Sequence, residues 1–532
     1  MRGSDLLVKC LQTEGVTRIF GIPGEENLDL MDSLIESGIE FVLTKHEEAA
    51  AFMAETAARL TNDVGVCLST LGPGATNLVT GIADAYLCYN PVVALTGQVR
   101  TERAHPPEKQ YVDLVSLFRP ITKLSMSIGM PGKIPLLTKR GFDKAREERP
   151  GPVHLELPED VMRCEASGEP LPRSATVSSV ASRQSLGAVR EMIERAETPL
   201  IFAGQGVIRA GAQEALRRFA RRWNVPVVHT WLGSGIMPFD DDLSLHSVGR
   251  RTHDFMRKAF ELSDLVLAVG YDMIEFQPVF WNIGRRKSVV HICALPAEAG
   301  NRFSPEIQVV GDIGISLSRL GRAAVKKENW AGGLKRELEA KTFEGLEDTS
   351  PVKPQLVVRA IRNCLRRKDV AVCDVGAHML WMQKLYPTFL ENTLLASNGL
   401  IGMGIGVPAA IAAKLTLPDR RVVAAVGDGG FMMSSAELET AARVNAPFVS
   451  VVFDDRTYSL IKLRQEKNYG RSIGVDFSNP DFVKYAESFG AEGHVVSSAA
   501  ELEDILRTCL KDEALAVIDV PIDPAENLNL AL

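Results

Sequence analysis

The 532-residue sequence holds no apolar run suited to crossing a bilayer. Its most apolar stretch, Gly399 to Leu417, is rich in glycine and carries Pro408 and Lys414, so it reads as a buried loop and helix. Basic charge is not in excess: 60 Lys and Arg face 67 Asp and Glu, a net charge of −7 with pI ≈ 5.9, which argues against a nucleic-acid surface. The eight cysteines (10, 67, 88, 164, 293, 364, 373 and 509) form no CxxC pair, the pattern of reduced thiols in a cytoplasmic protein. The start, MRGSDLLVKCLQTEGV, lacks the apolar core of a signal peptide, and no short tandem repeat is present. What remains is an ordinary soluble composition, 45% hydrophobic and 24% charged, with mean hydropathy +0.02.

This length exceeds one hydrophobic core and predicts three domains. In the first, 1–170, short apolar strands at Arg18–Phe20, Phe41–Leu43, Val64–Ser69, Val92–Leu95 and Val153–Glu156 alternate with turns and helices. That alternation predicts an α/β unit with a doubly wound parallel sheet. Pro170 to Ser185 is a Pro/Ser/Thr-rich linker. The central domain, 186–340, has strands at Leu200–Ala203, Val225–His229, Leu265–Val269 and Val289–Ile292. Lys341 to Pro354 is a second connection, and a third α/β domain fills 355–532. The first and third share a coarse plan of strands, turns and helices with glycine-rich loops.

The most informative stretch is Val422 to Leu460, VVAAVGDGGFMMSSAELETAARVNAPFVSVVFDDRTYSL. It reads as a buried strand, a Gly-Asp-Gly-Gly turn, a helix and a second buried strand ending in Asp454-Asp455. Parallel strands present their carboxyl ends at one edge, where open α/β sheets bind ligands. Asp428 and Asp455 are therefore expected side by side, and the glycines flanking Asp428 allow close backbone approach. Two hard oxygen donors beside exposed backbone suit Mg²⁺ together with phosphates. Acids and glycines also decorate ordinary loops after strands, and that plainer account stands beside this one.

Elsewhere Thr44-Lys45-His46-Glu47-Glu48 ends a strand and opens a helix. Acids there either serve the helix dipole or, for Glu47, face an apolar cleft that favours the protonated form. Gly204-Gln205-Gly206 imitates a dinucleotide loop, but Arg209 stands where that fingerprint needs glycine, so it reads as a strand-to-helix turn. Gly311-Asp312 has no polar pair after a following strand and reads as structural.

Several motifs together resemble the acetolactate synthase family of thiamine-diphosphate enzymes over nearly the full length. They are Phe20-Gly21-Ile22-Pro23-Gly24, Lys45-His46-Glu47, Leu71-Gly72-Pro73-Gly74-Ala75-Thr76-Asn77, Thr96-Gly97-Gln98-Val99, Ser397-Asn398-Gly399 and Gly427-Asp428-Gly429. Val269-Gly270-Tyr271-Asp272, Ile274-Glu275, Phe280-Trp281-Asn282, the stretch Tyr485 to Ala491 and Val520-Pro521-Ile522-Asp523 are closer to the FAD-independent catabolic branch. The resemblance implies pyrimidine-binding, central and diphosphate-binding domains, thiamine diphosphate and Mg²⁺ as cofactors, and no FAD. It implies decarboxylation of a 2-oxo acid, pyruvate first, and carboligation to a second carbonyl. Active sites shared between subunits imply a homodimer or homotetramer.

Residue by residue, the resemblance makes Glu47 the cofactor-activating acid and puts Gln110 in the reaction cleft. Asp428, Asp455 and the carbonyl of Thr457 become the metal ligands. Met403 becomes the wedge that bends the cofactor, and Gly72, Gly74 and Asn77 line the pyrimidine side. His378, Gly427, Gly429, Gly430 and Tyr458 fall on the diphosphate side; structural roles for Met403 and His378 remain open. Three departures stand out. Asp455 replaces Asn beside a diphosphate. The chain ends sooner after Pro521 than the family pattern, so site closure is expected to differ. Leu463 and Arg464 lie where the biosynthetic branch has Trp and the catabolic branch Phe-Gln. An inward Arg464 would grip a carboxylate, implying an acidic or larger acceptor; an outward one is a solvated face. Alternatives to an acetolactate synthase-like enzyme are a carboligase with another acceptor, a simple 2-oxo acid decarboxylase and a non-catalytic cofactor-binding homologue.

Overall fold

A computed structural model describes the chain except residues 175–178, 249–256, 283–286, 299, 301, 323, 342–345 and 531–532. Parts of both expected linkers, 175–178 and 342–345, thus lie outside the described residues. Three six-stranded parallel sheets carry the architecture. The N-terminal sheet holds β1 (Arg18–Gly21), β2 (Glu40–Leu43), β3 (Gly65–Ser69), β4 (Val92–Gln98), β5 (Leu124–Ser127) and β6 (Val153–Pro158), ordered β2-β1-β3-β4-β6-β5. The central sheet holds β7 (Pro199–Ala203), β8 (Val227–His229), β9 (Ser244–Ser247), β10 (Leu265–Val269), β11 (Ser288–Cys293) and β12 (Ile307–Val310), ordered β12-β11-β10-β7-β8-β9. The C-terminal sheet holds β13 (Val370–Cys373), β14 (Leu394–Ala396), β15 (Val422–Gly427), β16 (Val449–Asp454), β17 (Glu492–Val495) and β18 (Ala516–Pro521), ordered β14-β13-β15-β16-β18-β17.

Numbered from its own first strand, each outer sheet runs 2-1-3-4-6-5, whereas the central one runs 3-2-1-4-5-6, both doubly wound. The inner strands are apolar and buried along their length, as parallel strands covered on both faces must be. The helix Glu47–Thr61 of the N-terminal unit and the helix Gly406–Thr416 of the C-terminal unit share one core, in which Phe52, Ala54, Val407, Ala410 and Ile411 are buried. Gly399 to Leu417 is therefore loop and helix as its composition predicts, and no described helix is long and apolar enough to cross a membrane.

The two look-alike turns are structural. Cβ atoms at Gly204 and Gly206 would lie 2.5 and 2.7 Å from the Gly270 carbonyl oxygen, so this turn packs against backbone. The Gln205 amide donates to the Glu275 carboxylate at 2.9 Å. Asp312 caps the helix Ile313–Gly321 by accepting from the Ile315 amide at 2.7 Å. All eight cysteines are free thiols.

Candidate active site

The register of β15 on β16 pairs Gly427 with Phe453, so both strands end level. Asp428 and the Asp454-Asp455 pair leave the sheet together, 27 positions of sequence having been closed by one helical crossover. Arg456 adopts a left-handed φ of +56° at this point, and its amide donates to Asp428 Oδ2 at 2.7 Å. Asn479 Nδ2 donates both to Asp428 Oδ2 and to Asp454 Oδ1, each at 2.8 Å. Asp455 accepts from the Thr457 amide at 3.3 Å and from the Ser459 hydroxyl, with the Asn527 amide 3.5 Å away.

Burial pushes the Asp428 carboxyl up to about 7, and the neighbouring Asp455 charge adds to it. Burial raises Asp455 to about 6, helped by Asp454. Two carboxyls that resist ionising together create a demand for a compensating cation.

Above them opens a cavity of about 310 Å³, whose wall includes His378, Met403, Gly427, Asp428, Gly429, Asp455, Thr457 and Tyr458. Glycine at 427 and 429 keeps this wall open. A Cβ at 429 would sit 2.7 Å from Tyr458 Cε1, and one at 427 would sit 3.0 Å from His378 Cε1. His378 is buried, and burial lowers its ring to about 4. Its Nε2 has no hydrogen-bond partner among the described residues. Met403 sits in a loop pinned by the buried Asp374, whose carboxylate accepts from the Gly404 and Gly406 amides at 3.0 and 3.1 Å. Gly430 packs against Asp374 instead of lining the cavity. Leu463 is half-buried and Arg464 exposed; neither lines the wall, and Arg464 has no partner among the described residues.

A second group assembles in the N-terminal unit. Glu47 is the first residue of its helix and is buried at 7% exposure. Asn77 Nδ2 holds its Oε2 at 2.9 Å. Gly74 faces the other oxygen, where an added Cβ would lie 3.0 Å from Oε1. At Gly72, φ is +35° and a Cβ would meet the Gln110 carbonyl oxygen at 2.5 Å, which brings the exposed Gln110 beside this group. None of these five residues lines the C-terminal cavity. Glu437 ties the two units together, its Oε1 accepting from the Lys45 and His46 amides at 2.8 and 3.0 Å across 392 and 391 positions of sequence.

The thiamine pyrophosphate enzyme descriptions match in chain order: the N-terminal TPP binding domain on residues 1–117, the central domain on 186–320 and the C-terminal TPP binding domain on 374–520. The "Acetolactate synthase" of Bacillus subtilis is 36% identical, covering 100% of this chain and 95% of its own. The chain belongs to the acetolactate synthase family of thiamine pyrophosphate enzymes. Two further members bracket the same range. The "Probable acetolactate synthase large subunit" of Methanocaldococcus jannaschii is 37% identical over 100% of this chain and 93% of its own, and the "Acetolactate synthase, catabolic" of Raoultella terrigena is 32% identical over 99% and 96%.

For this acetolactate synthase family member the cavity fits thiamine diphosphate on its own chemistry. A ring nitrogen without a partner among the described residues, two carboxyls raised by burial and two bare glycines meet at one wall. Asn479, Asn527, Asp374 and Glu437 are parts of the arrangement that sequence reasoning did not identify. They lie far along the chain from the groups they hold and carry no motif of their own.

Proposed function

We propose that the chain is a thiamine-diphosphate-dependent acetolactate synthase that decarboxylates pyruvate and joins the remaining two-carbon unit to a second 2-oxo acid. The observation that carries this reading is the cavity floored by Asp428 and Asp455. Thiamine diphosphate, when bound, would supply the nucleophile and the electron sink that decarboxylation of a 2-oxo acid requires. Asp428, Asp455 and the Thr457 carbonyl would hold Mg²⁺, whose charge would offset the two carboxylates. His378 would hold a proton on Nε2 for a bound diphosphate. Met403 would supply the apolar wedge against the cofactor, Tyr458 and the bare backbone of Gly427 and Gly429 would line the diphosphate path, and Gly430 holds the turn against Asp374. Glu47 exchanges a proton with the aminopyrimidine nitrogen N1′, while Asn77 fixes one of its oxygens and Gly72 and Gly74 leave the other clear. Gln110 reaches toward the reacting carbonyl.

The acid and the cavity sit in different units, and the N-terminal group is absent from the cavity wall. Exposed Leu400, Met433 and Ile461 in the C-terminal unit also need covering, Ile461 lying in that wall. Both observations support a homodimer, or a homotetramer of dimers, in which a second copy supplies Glu47. Cytoplasmic placement is supported by the eight free thiols. FAD independence is supported by the central turn, whose Gln205 amide already has Glu275 as acceptor.

Incubation with pyruvate, Mg²⁺ and thiamine diphosphate tests the reading. Acetolactate is the expected product. Acetaldehyde would make the chain a decarboxylase, a mixed acyloin would make it a carboligase of another kind, and no turnover would leave a non-catalytic cofactor-binding protein. A second reading, an acidic or larger acceptor, rests on the exposed Arg464, which has no partner among the described residues and lies three residues beyond the cavity-lining Ile461; Leu463 beside it would contact such an acceptor.

A further inference from the structure

The outer edge of the C-terminal sheet carries a second constellation. Residues 492 and 494 lie on β17, the edge strand, and a period of two turns Glu492 and His494 to one face. The helix Ala499–Lys511 passes beside that face and brings Cys509 to it. Three donor atoms converge. Glu492 Oε2 and His494 Nε2 are 3.2 Å apart, Cys509 Sγ lies 3.7 Å from that oxygen and 3.8 Å from that nitrogen.

Those lengths can be compared with the edges of a tetrahedron. Zinc bonds of about 2.3 Å to sulfur and about 2.0–2.2 Å to nitrogen and oxygen give donor–donor edges of about 3.4–3.6 Å. A surface His–Glu pair needs only one short distance; here all three edges close together. The same atom of each residue takes part in both of its contacts.

We propose that Glu492, His494 and Cys509 form a binding site for a borderline divalent cation, Zn²⁺ foremost, on the sheet edge and apart from the cofactor cavity. Thiolate and imidazole select Zn²⁺, Co²⁺ or Cu²⁺ over Mg²⁺ and Ca²⁺, which a site of carboxylates alone would not do. The side chain of Cys509 is buried at 2% exposure, while those of Glu492 and His494 are 54% and 31% exposed. A soft anchor therefore lies beneath two accessible ligands, with water completing the fourth position. Burial, then the charges of Glu492 and Asp512, push the Cys509 thiol up to about 12. The charges of Glu492 and Asp512, which oppose a bare thiolate, attract a dication. On binding, the S–H bond breaks, its proton goes to solvent and the sulfur lone pair forms the metal bond. The bound ion would clip the edge strand to the helix that covers it.

Co²⁺ is the probe. The protein loaded with Mg²⁺ and thiamine diphosphate is expected to take up one Co²⁺ per chain with a thiolate-to-cobalt charge-transfer band, which excess Zn²⁺ removes. Cys509→Ser is expected to abolish the band and keep activity. His494→Ala, on the surface, is expected to weaken Co²⁺ binding by more than the about 10–100-fold lost when only an outer-shell partner is changed. Absence of the band from the parent protein overturns the assignment. So does a band that survives in Cys509→Ser, or one that keeps full affinity in His494→Ala. If Cys509→Ser does not fold, the His494→Ala titration decides alone.

Discussion

Replacing Asp455 by Asn separates two effects that the natural side chain combines. Burial holds this carboxyl near 6 against an ordinary value of about 3.9, so its ionised form costs the folded protein about 3 kcal/mol. Because the folded-state value lies above the unfolded one, the penalty is absent well below pH 4. It accumulates as pH rises through 4 to 6 and persists above. Without metal, Asp455→Asn should therefore gain on the parent as pH rises, by about 2 kcal/mol between pH 4.5 and pH 8. For a unit of this size that is a relative gain of about 4–8 °C in melting temperature. Asn can still accept from the Thr457 amide and donate to the Ser459 hydroxyl, so the offset from lost hydrogen bonds is small. With Mg²⁺ and thiamine diphosphate the order should reverse, since the parent brings two negative charges to the ion and the variant one. Thermal melts at both pH values, with and without the two ligands, measure all of this. A stability gap independent of pH, or a variant that binds Mg²⁺ as tightly as the parent, would refute the reasoning.

Further outcomes follow from the same geometry. Glu47→Gln keeps an oxygen for Asn77 and should leave cofactor binding measurable by calorimetry, while turnover falls about 10²–10⁴-fold. Glu437→Ala removes the acceptor of two amides at the start of the Glu47 helix and should lower stability in urea by about 3 kcal/mol; unchanged stability would show that this link is dispensable. Gly429→Ala places a methyl 2.7 Å from Tyr458 Cε1 and should weaken thiamine diphosphate binding about tenfold or more without altering the circular dichroism spectrum. Arg464→Gln should change the ranking of acceptors, and equal rates on every acceptor would remove the second reading.

Inner strands were legible because a parallel strand buried on both faces is one continuous apolar run; LVLAV of β10 and VVAAVG of β15 show it. The strands that escaped in the first two units, β5, β9 and β12, are all sheet edges. LSMS is half-buried throughout, SLHS has a single apolar residue and the burial of IQVV alternates, so none of them carries that signature. In the site, the Gly-Asp-Gly turn and Glu47 were legible because their chemistry is packed into consecutive residues. Asn479 was not: it reaches Asp428 across 51 positions, and an isolated Asn-Pro in a loop gives no sign of two carboxylates beyond it. Gly430 shows the converse, a motif glycine whose neighbour is Asp374 and not the cavity.

The shared winding of the two outer sheets has a consequence for how such a molecule arose. The helices Glu47–Thr61 and Gly406–Thr416 each follow the second strand of their unit and lead to the third, and they are the very helices that pack together. The helices after the third strands are counterparts too, one opening with Gly72 and the other with Asp428. Two halves that repeat one winding, one packed helix and one helix-opening position are what duplication of a single ancestral unit would leave.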